Sequence, residues 1–170
     1  MIAAPPTWVL AFIYWLHMLA TVVWVGSLAA ISFLVLPAMK RTLNADTQLV
    51  FIEAMQKRLE PIAWFSISLL ILTGLFQMSL NPHYDGFLST STQWSLAILV
   101  KHILGIIMVV VSAIQTWEVI PAIRRGILMS KKINNAEELD SLRRREITLL
   151  RINFGLSVLI LVATAFARAS

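Results

Sequence analysis

Leu69-Leu70-Ile71-Leu72-Thr73-Gly74-Leu75-Phe76 is the stretch that decides how this chain folds. A helix on the surface of a soluble bundle shows a polar face every 3.6 residues, and this run has none. Val158-Leu159-Ile160-Leu161-Val162 makes the same case further along. Working outward from these runs, four segments reach the roughly 20 helical residues needed to cross about 30 Å of hydrocarbon. They lie at residues 7–37, 61–80, 93–120 and 149–166. Hydrophobic residues make up 58% of the 170-residue chain, charged ones 14%, and the mean hydropathy is +0.79. The expectation is an all-α integral membrane protein, a single domain over residues 1–170 folded as an antiparallel four-helix bundle.

Orientation follows from the basic residues. Lys40, Arg41, Lys57 and Arg58 lie between the first and second spans, and Arg124, Arg125, Lys131, Lys132 and Arg143 to Arg145 between the third and fourth. Neither Met1 to Pro37 nor Pro61 to Val100 contains Lys or Arg. The positive-inside bias therefore predicts cytoplasmic basic loops and both termini on the extracytoplasmic side of a bacterial-type inner membrane. Trp8 and Trp94 are expected at the outer interface, Trp64 and Trp117 at the inner one. The pI near 10.1 reflects these edge clusters. With no basic stripe interleaved with stacking aromatics, nucleic acid is not an expected partner, and the lipid bilayer is. Met1 to Thr7 lacks a positive n-region and the first apolar run is too long for an h-region, so the first span is expected to persist.

There is no cysteine. That excludes disulfides, thiolate metal sites, iron–sulfur clusters, covalent haem attachment and thiol catalysis. Nor is there a phosphate-binding loop, dinucleotide fingerprint, nucleophile elbow or His-Glu-x-x-His motif, so no catalytic residue is assigned and a transport or binding role is favoured over an enzyme. No convincing internal repeat emerges.

Metal ligands must then come from His, Met, carboxylate or backbone groups. His17 and His102 lie inside apolar spans where an imidazole is costly to bury. His17 is roughly 15 Å along the first span and His102 roughly 13 Å along the third, entering from the same side, so both fall in the outer half at comparable depth. His17 shares a helical stripe with Ala20, Thr21, Trp24 and Leu28, and His102 aligns with Gly105, Ile106 and Val109. Each span carries one glycine, Gly26, Gly74, Gly105 and Gly155, allowing close approach. Such a pair could hold one metal or the two axial positions of a b-type haem. The bland reading is a hydrogen bond to a neighbouring helix, from a partner such as Ser66, Ser68 or Asn153. Lys101 beside His102 is read as facing the interior, where it could pair with a haem propionate or another anion. Met18 and Met78 offer soft thioethers, although the apolar-filler role suits them better, and His83 in the outer loop is a solvated residue that could capture external metal. Glu118 is expected to pair with Arg124 or Arg125.

Motifs in all four spans carry a family resemblance. Leu16-His17-Met18 through Trp24-Val25-Gly26 resembles the opening helix of the copper resistance protein D (CopD) family. Leu72-Thr73-Gly74 resembles the end of its second helix, and Leu99-Val100-Lys101-His102 followed by Val119-Ile120-Pro121 its Lys-bearing third helix. Arg143-Arg144-Arg145 and Asn153 to Ala165 are similar to the closing helix. The resemblance implies an inner-membrane protein of copper uptake or homeostasis, often paired with a periplasmic copper-binding protein. His17 and Lys101 also match a weaker similarity to HemJ-type protoporphyrinogen oxidases, which implies haem. This chain departs from that group in adding His102 and lacking further His-bearing ends. The cofactor expectation thus stays divided between copper and b-type haem. A membrane redox partner goes with the haem reading, and a noncatalytic membrane subunit is the third alternative.

Overall fold

In a computed structural model, the described residues are 5–82, 84, 86–130 and 136–169. They form α1 (Thr7–Ala30), a π-helical turn (Ile31–Val35), α2 (Leu36–Thr42), α3 (Ala45–Ser79), α4 (Gln93–Ile114), a second π turn (Gln115–Val119), α5 (Ile120–Ser130) and α6 (Ala136–Ala169). Among the described residues there is no strand. Four continuous helical rods result, Thr7–Thr42, Val50–Ser79, Gln93–Gly126 and Glu137–Ala169, each long and apolar enough to cross a membrane.

The outer surface of the bundle explains why it needs lipid. Val22 is 68% exposed, Leu72 68%, Ile106 62% and Phe166 68%. Side chains like these scattered singly would be ordinary, but a continuous apolar mantle around all four rods belongs against acyl chains.

The rods run on past their apolar windows at the end where the basic residues lie. Residues 45–60 and 136–148 are helical, where the sequence reads as inner loops holding an amphipathic stretch, Leu49 to Met55, able to extend as a helix, and a helix start at 134–138 that leads into the fourth span. Hydropathy marks only the part in hydrocarbon. Good helix formers continue the helix into the polar layer, and Asn44 caps α3 by accepting from Thr47 N at 3.0 Å. The second rod even passes through Pro61. Consequently the first link at the basic end is only the Leu43-Asn44 bend. The segment expected to open the last helix at Asn134-Asn135 lies outside the described residues.

Pairing is by hairpins. The first rod packs on the second, and the third on the fourth. His17 reaches Thr73 and Gln77 Nε2 donates to Ile13 O, which sets the first pair antiparallel. In the second pair Asn153 Nδ2 donates to Ser112 Oγ at 3.1 Å, and Ser157 Oγ points at Met108 Sδ at 3.7 Å. Hydrogen bonds of this kind between membrane helices contribute about 0.6 kcal/mol each. Trp24, Leu28, Ile31, Ile67, Met108 and Leu150 make the apolar centre between the hairpins.

The first rod of each hairpin carries the same device toward its basic end. Leu36 N–H bonds Ile31 O and Ile120 N–H bonds Gln115 O, five residues back in both cases, immediately ahead of Pro37 and Pro121. Proline lacks the N–H and its ring clashes with the carbonyl four residues earlier, and a widened turn relieves both problems. The flanking sequences match: Val35-Leu36-Pro37-Ala38-Met39-Lys40-Arg41 and Val119-Ile120-Pro121-Ala122-Ile123-Arg124-Arg125. This is the internal repeat that the sequence reading passed over, because it is short and diluted by unmatched apolar residues around it. Repeats with parallel orientation are a common way to build membrane bundles.

Candidate metal or cofactor site in the terminal half

His17 stands on the interior stripe of α1, one turn before the buried Ala20. Its ring lies over Gly74, where a Cβ would sit 3.4 Å from Cε1, so the glycine gives the imidazole a flat backbone surface to rest on. His17 Nδ1 and Thr73 Oγ1 are 2.7 Å apart. The Thr73 hydroxyl donates its proton to Leu69 O. It can therefore only accept from the ring, so Nδ1 carries the proton and Nε2 keeps its lone pair.

His102 reaches the same state by another route. Its Nδ1–H donates to Ile98 O at 2.7 Å, since a carbonyl only accepts. Phe87 of the terminal loop packs edge-on against the ring at a centroid distance of 4.8 Å. Gly86, with φ of 121°, supplies the left-handed backbone that turns the loop at this point. Each imidazole thus spends Nδ1 on the protein, and Nε2 has no hydrogen-bond partner among the described residues. A second-shell bond of this type orients a histidine ligand and raises its basicity.

Height can be judged from the shared interior. Leu28 and Ser112 line one cavity. His17 is eleven residues before the first and His102 ten before the second, so each sits about 15 to 17 Å toward the terminal end of the bundle. The rings do not touch: His17 turns to the second rod, His102 to its own backbone and Phe87. The interior stripe of the third rod runs through Lys101, Gly105, Met108 and Ser112, with His102 on its flank. Ile106, expected beside His102 on an inward face, is 62% exposed instead. Aligning the two Pro-bearing repeats superposes His17 on Lys101 and Trp24 on Met108. Lys101 is half-buried and lies near His17 and near Arg168 at the end of α6.

The remaining candidates separate. Met78 is buried and Met18 is 60% exposed on the lipid-facing side. His83 lies outside the described residues. Among the described residues no group of three or more His or acidic side chains gathers as a metal cluster. The partners named from sequence for the histidines point elsewhere: Asn153 is bound to Ser112, Ser68 is exposed, and Ser66 is buried seven residues from Thr73. Thr73, which holds His17, was missed. The signal was present in Thr73-Gly74, a hydroxyl beside a flat backbone within an apolar run.

At the basic end Glu118 pairs with Arg145 at 2.8 Å, and Arg124 with Glu53 at 3.4 Å. This corrects the expected pairing of Glu118 with Arg124 or Arg125. Charges near a helix end find partners across the bundle when the neighbouring rod brings them closer than the next turn does. Trp64 and Trp117 stack here at 5.3 Å, tying the second rod to the third. Also at this end Gln56 Nε2 donates to the buried Glu146 at 2.7 Å, a pair the sequence reading did not single out.

A multi-pass membrane bundle carrying two half-buried imidazoles, each bonded to the protein through Nδ1, is the class these features define. The family model of copper resistance protein D (CopD) matches residues 52–167, well over half of the chain, and the protein belongs to that family. The matched region takes in Thr73, Lys101 and His102, while His17 precedes it. No curated protein and no solved structure matches the chain.

Proposed function

We propose that this protein carries copper into or across the membrane through a site in the terminal half of the bundle, with His17 and His102 as nitrogen donors. The observation that supports the reading most strongly is the shared engagement of the two imidazoles, each with Nδ1 bonded to the protein and Nε2 without a partner among the described residues, at similar height. Imidazole and thioether suit copper, and the buried Met78 is the sulfur nearest in kind. Copper here is cargo. The basic residues support a plasma-membrane orientation with both termini outside, so the site would face a periplasmic copper-binding partner.

Lys101 favours a second reading. A lysine ammonium within reach of His17 opposes an added cation but suits a carboxylate. The same two histidines as axial ligands and Lys101 beside a propionate would make the protein a b-type haem carrier, the haem supplying one-electron chemistry for a membrane redox partner.

Purified protein in nanodiscs separates the readings. Copper handling expects stoichiometric Cu(I) by elemental analysis and chelator competition, lost in His17→Ala and weakened in His102→Ala. Haem binding expects a reduced-minus-oxidised low-spin b-type band lost in His17→Ala. Protein that retains and acquires neither sinks both, leaving a noncatalytic subunit whose histidines join helices.

A further inference from the structure

All four rods contribute to one cavity at the centre of the bundle, lined among others by Trp24, Ile31, Gln56, Ser112, Gln115 and Asn153. Both π turns open onto it, Ile31 from the first and Gln115 from the second, so the widened turns ahead of Pro37 and Pro121 make the space. Two of its walls carry unmet hydrogen-bonding groups. Trp24, 6% exposed, has an indole N–H without a protein acceptor, and Asn153, 1% exposed, has a side-chain oxygen without a donor. The Asn153 amide cannot be turned to hide this. Ser112 Oγ gives its proton to Met108 O and must accept from Asn153 Nδ2, which leaves Oδ1 facing away unpaired.

A buried donor and a buried acceptor left unpaired each lose the hydrogen bond that water gave them in the unfolded chain. One ligand class satisfies both at this size. The cavity holds about 70 Å³, and a water needs about 10 to 15 Å³ of such space plus two to four polar partners.

We infer that this cavity is a water-binding chamber, in which a few ordered waters link Trp24 Nε1–H to Asn153 Oδ1 in the middle of the bundle. Gln56 forms part of its wall and donates to Glu146, so the chamber brings water to within one side chain of a buried carboxyl at the basic end. The inference stands whichever cargo or cofactor the histidines hold. Acyl chains cannot fill the role, because they meet neither unpaired group.

Indole-labelled protein in lipid nanodiscs tests it by NMR. Trp24→Phe identifies the Trp24 indole resonance among the six tryptophans, and the 72% exposed Trp8 serves as a hydrated control. The expected result is a cross-peak between the Trp24 indole proton and water, lost in Ser27→Leu, which fills the chamber while keeping both unpaired groups. If Ser27→Leu does not fold, the wild-type spectrum decides alone. Cross-peaks from the Trp24 indole only to acyl or side-chain protons, with none to water, overturn the inference.

Discussion

His17, Thr73 and Leu69 form a relay whose direction is set by the last member. The Leu69 carbonyl accepts from the Thr73 hydroxyl, Thr73 accepts from His17 Nδ1–H, and Nε2 is the ring nitrogen left without a partner among the described residues. Thr73→Val is therefore expected to lower copper affinity by about 10- to 100-fold, the usual cost of removing a second-shell partner, while Thr73→Ser stays near wild type. Competition titration with a Cu(I) chelator reads this directly, and equal affinities in Val and Ser variants would refute the relay. Gly74 makes a companion case. An alanine Cβ there meets His17 at an ordinary 3.4 Å and should be tolerated, whereas Gly74→Leu pushes the ring off Thr73 and should cost as much affinity as Thr73→Val. At this scale the sequence pointed to His17 and Lys101 because polar groups stand out in apolar runs. It could not supply Thr73, since a partner fifty-six positions away is visible only once two helices have been rotated against each other.

Among the elements, polar pairs at the basic end differ by burial rather than by charge. Glu118 and Arg145 are about half exposed. Exposed pairs of this kind contribute about 0 to 1 kcal/mol, so Glu118→Gln should shift unfolding by less than about 1 kcal/mol. Glu146 is 2% exposed and relies on Gln56 for a donor. Gln56→Leu should then cost about 1 to 3 kcal/mol, clearly more than Glu118→Gln. Denaturant titration in mixed micelles compares the two, and the reverse ranking would show that Glu146 finds another donor. The rods themselves were legible as apolar windows, and their extensions only in part, through the amphipathic Leu49 to Met55 stretch and the helix start at 134–138. Charged, helix-forming residues such as those of 45–60 read as loop when hydropathy is the only guide, although Asn44 followed by good helix formers marks a start. The π turns were hidden for a related reason. Pro37 and Pro121 read as span exits, while the accommodation that keeps the helix going is a matter of hydrogen-bond register.

For the whole molecule, the basic-end bias predicts topology, and the absence of cysteine makes it easy to test. In intact cells Ala169→Cys should react with a membrane-impermeant maleimide, and Arg125→Cys only after permeabilisation. The opposite pattern would invert the bundle and place the His17 level on the cytoplasmic side. Two hairpins whose first rods carry the same Pro-bearing segment also place His17 and Lys101 in equivalent positions. One repeat thus carries a neutral donor where the other carries a cation, and the asymmetry of the candidate site follows from a symmetric scaffold.

Run length and composition alone determined that this chain is a four-helix membrane protein, because hydrocarbon thickness translates directly into helix length and every backbone group must be paired inside it. Short motifs in all four helices, from His17 to Gly26 in the first to Asn153 to Ala165 in the last, carried the family resemblance. Only the tertiary structure decided which nitrogen of each imidazole the protein engages, which group holds it, and that Asn153 and Trp24 face a shared cavity. A helix that is apolar on every side has no periodic signal to report its rotation. Its inward face emerges only when neighbouring rods, the π turns and close contacts such as Gly74 against His17 settle into one packing.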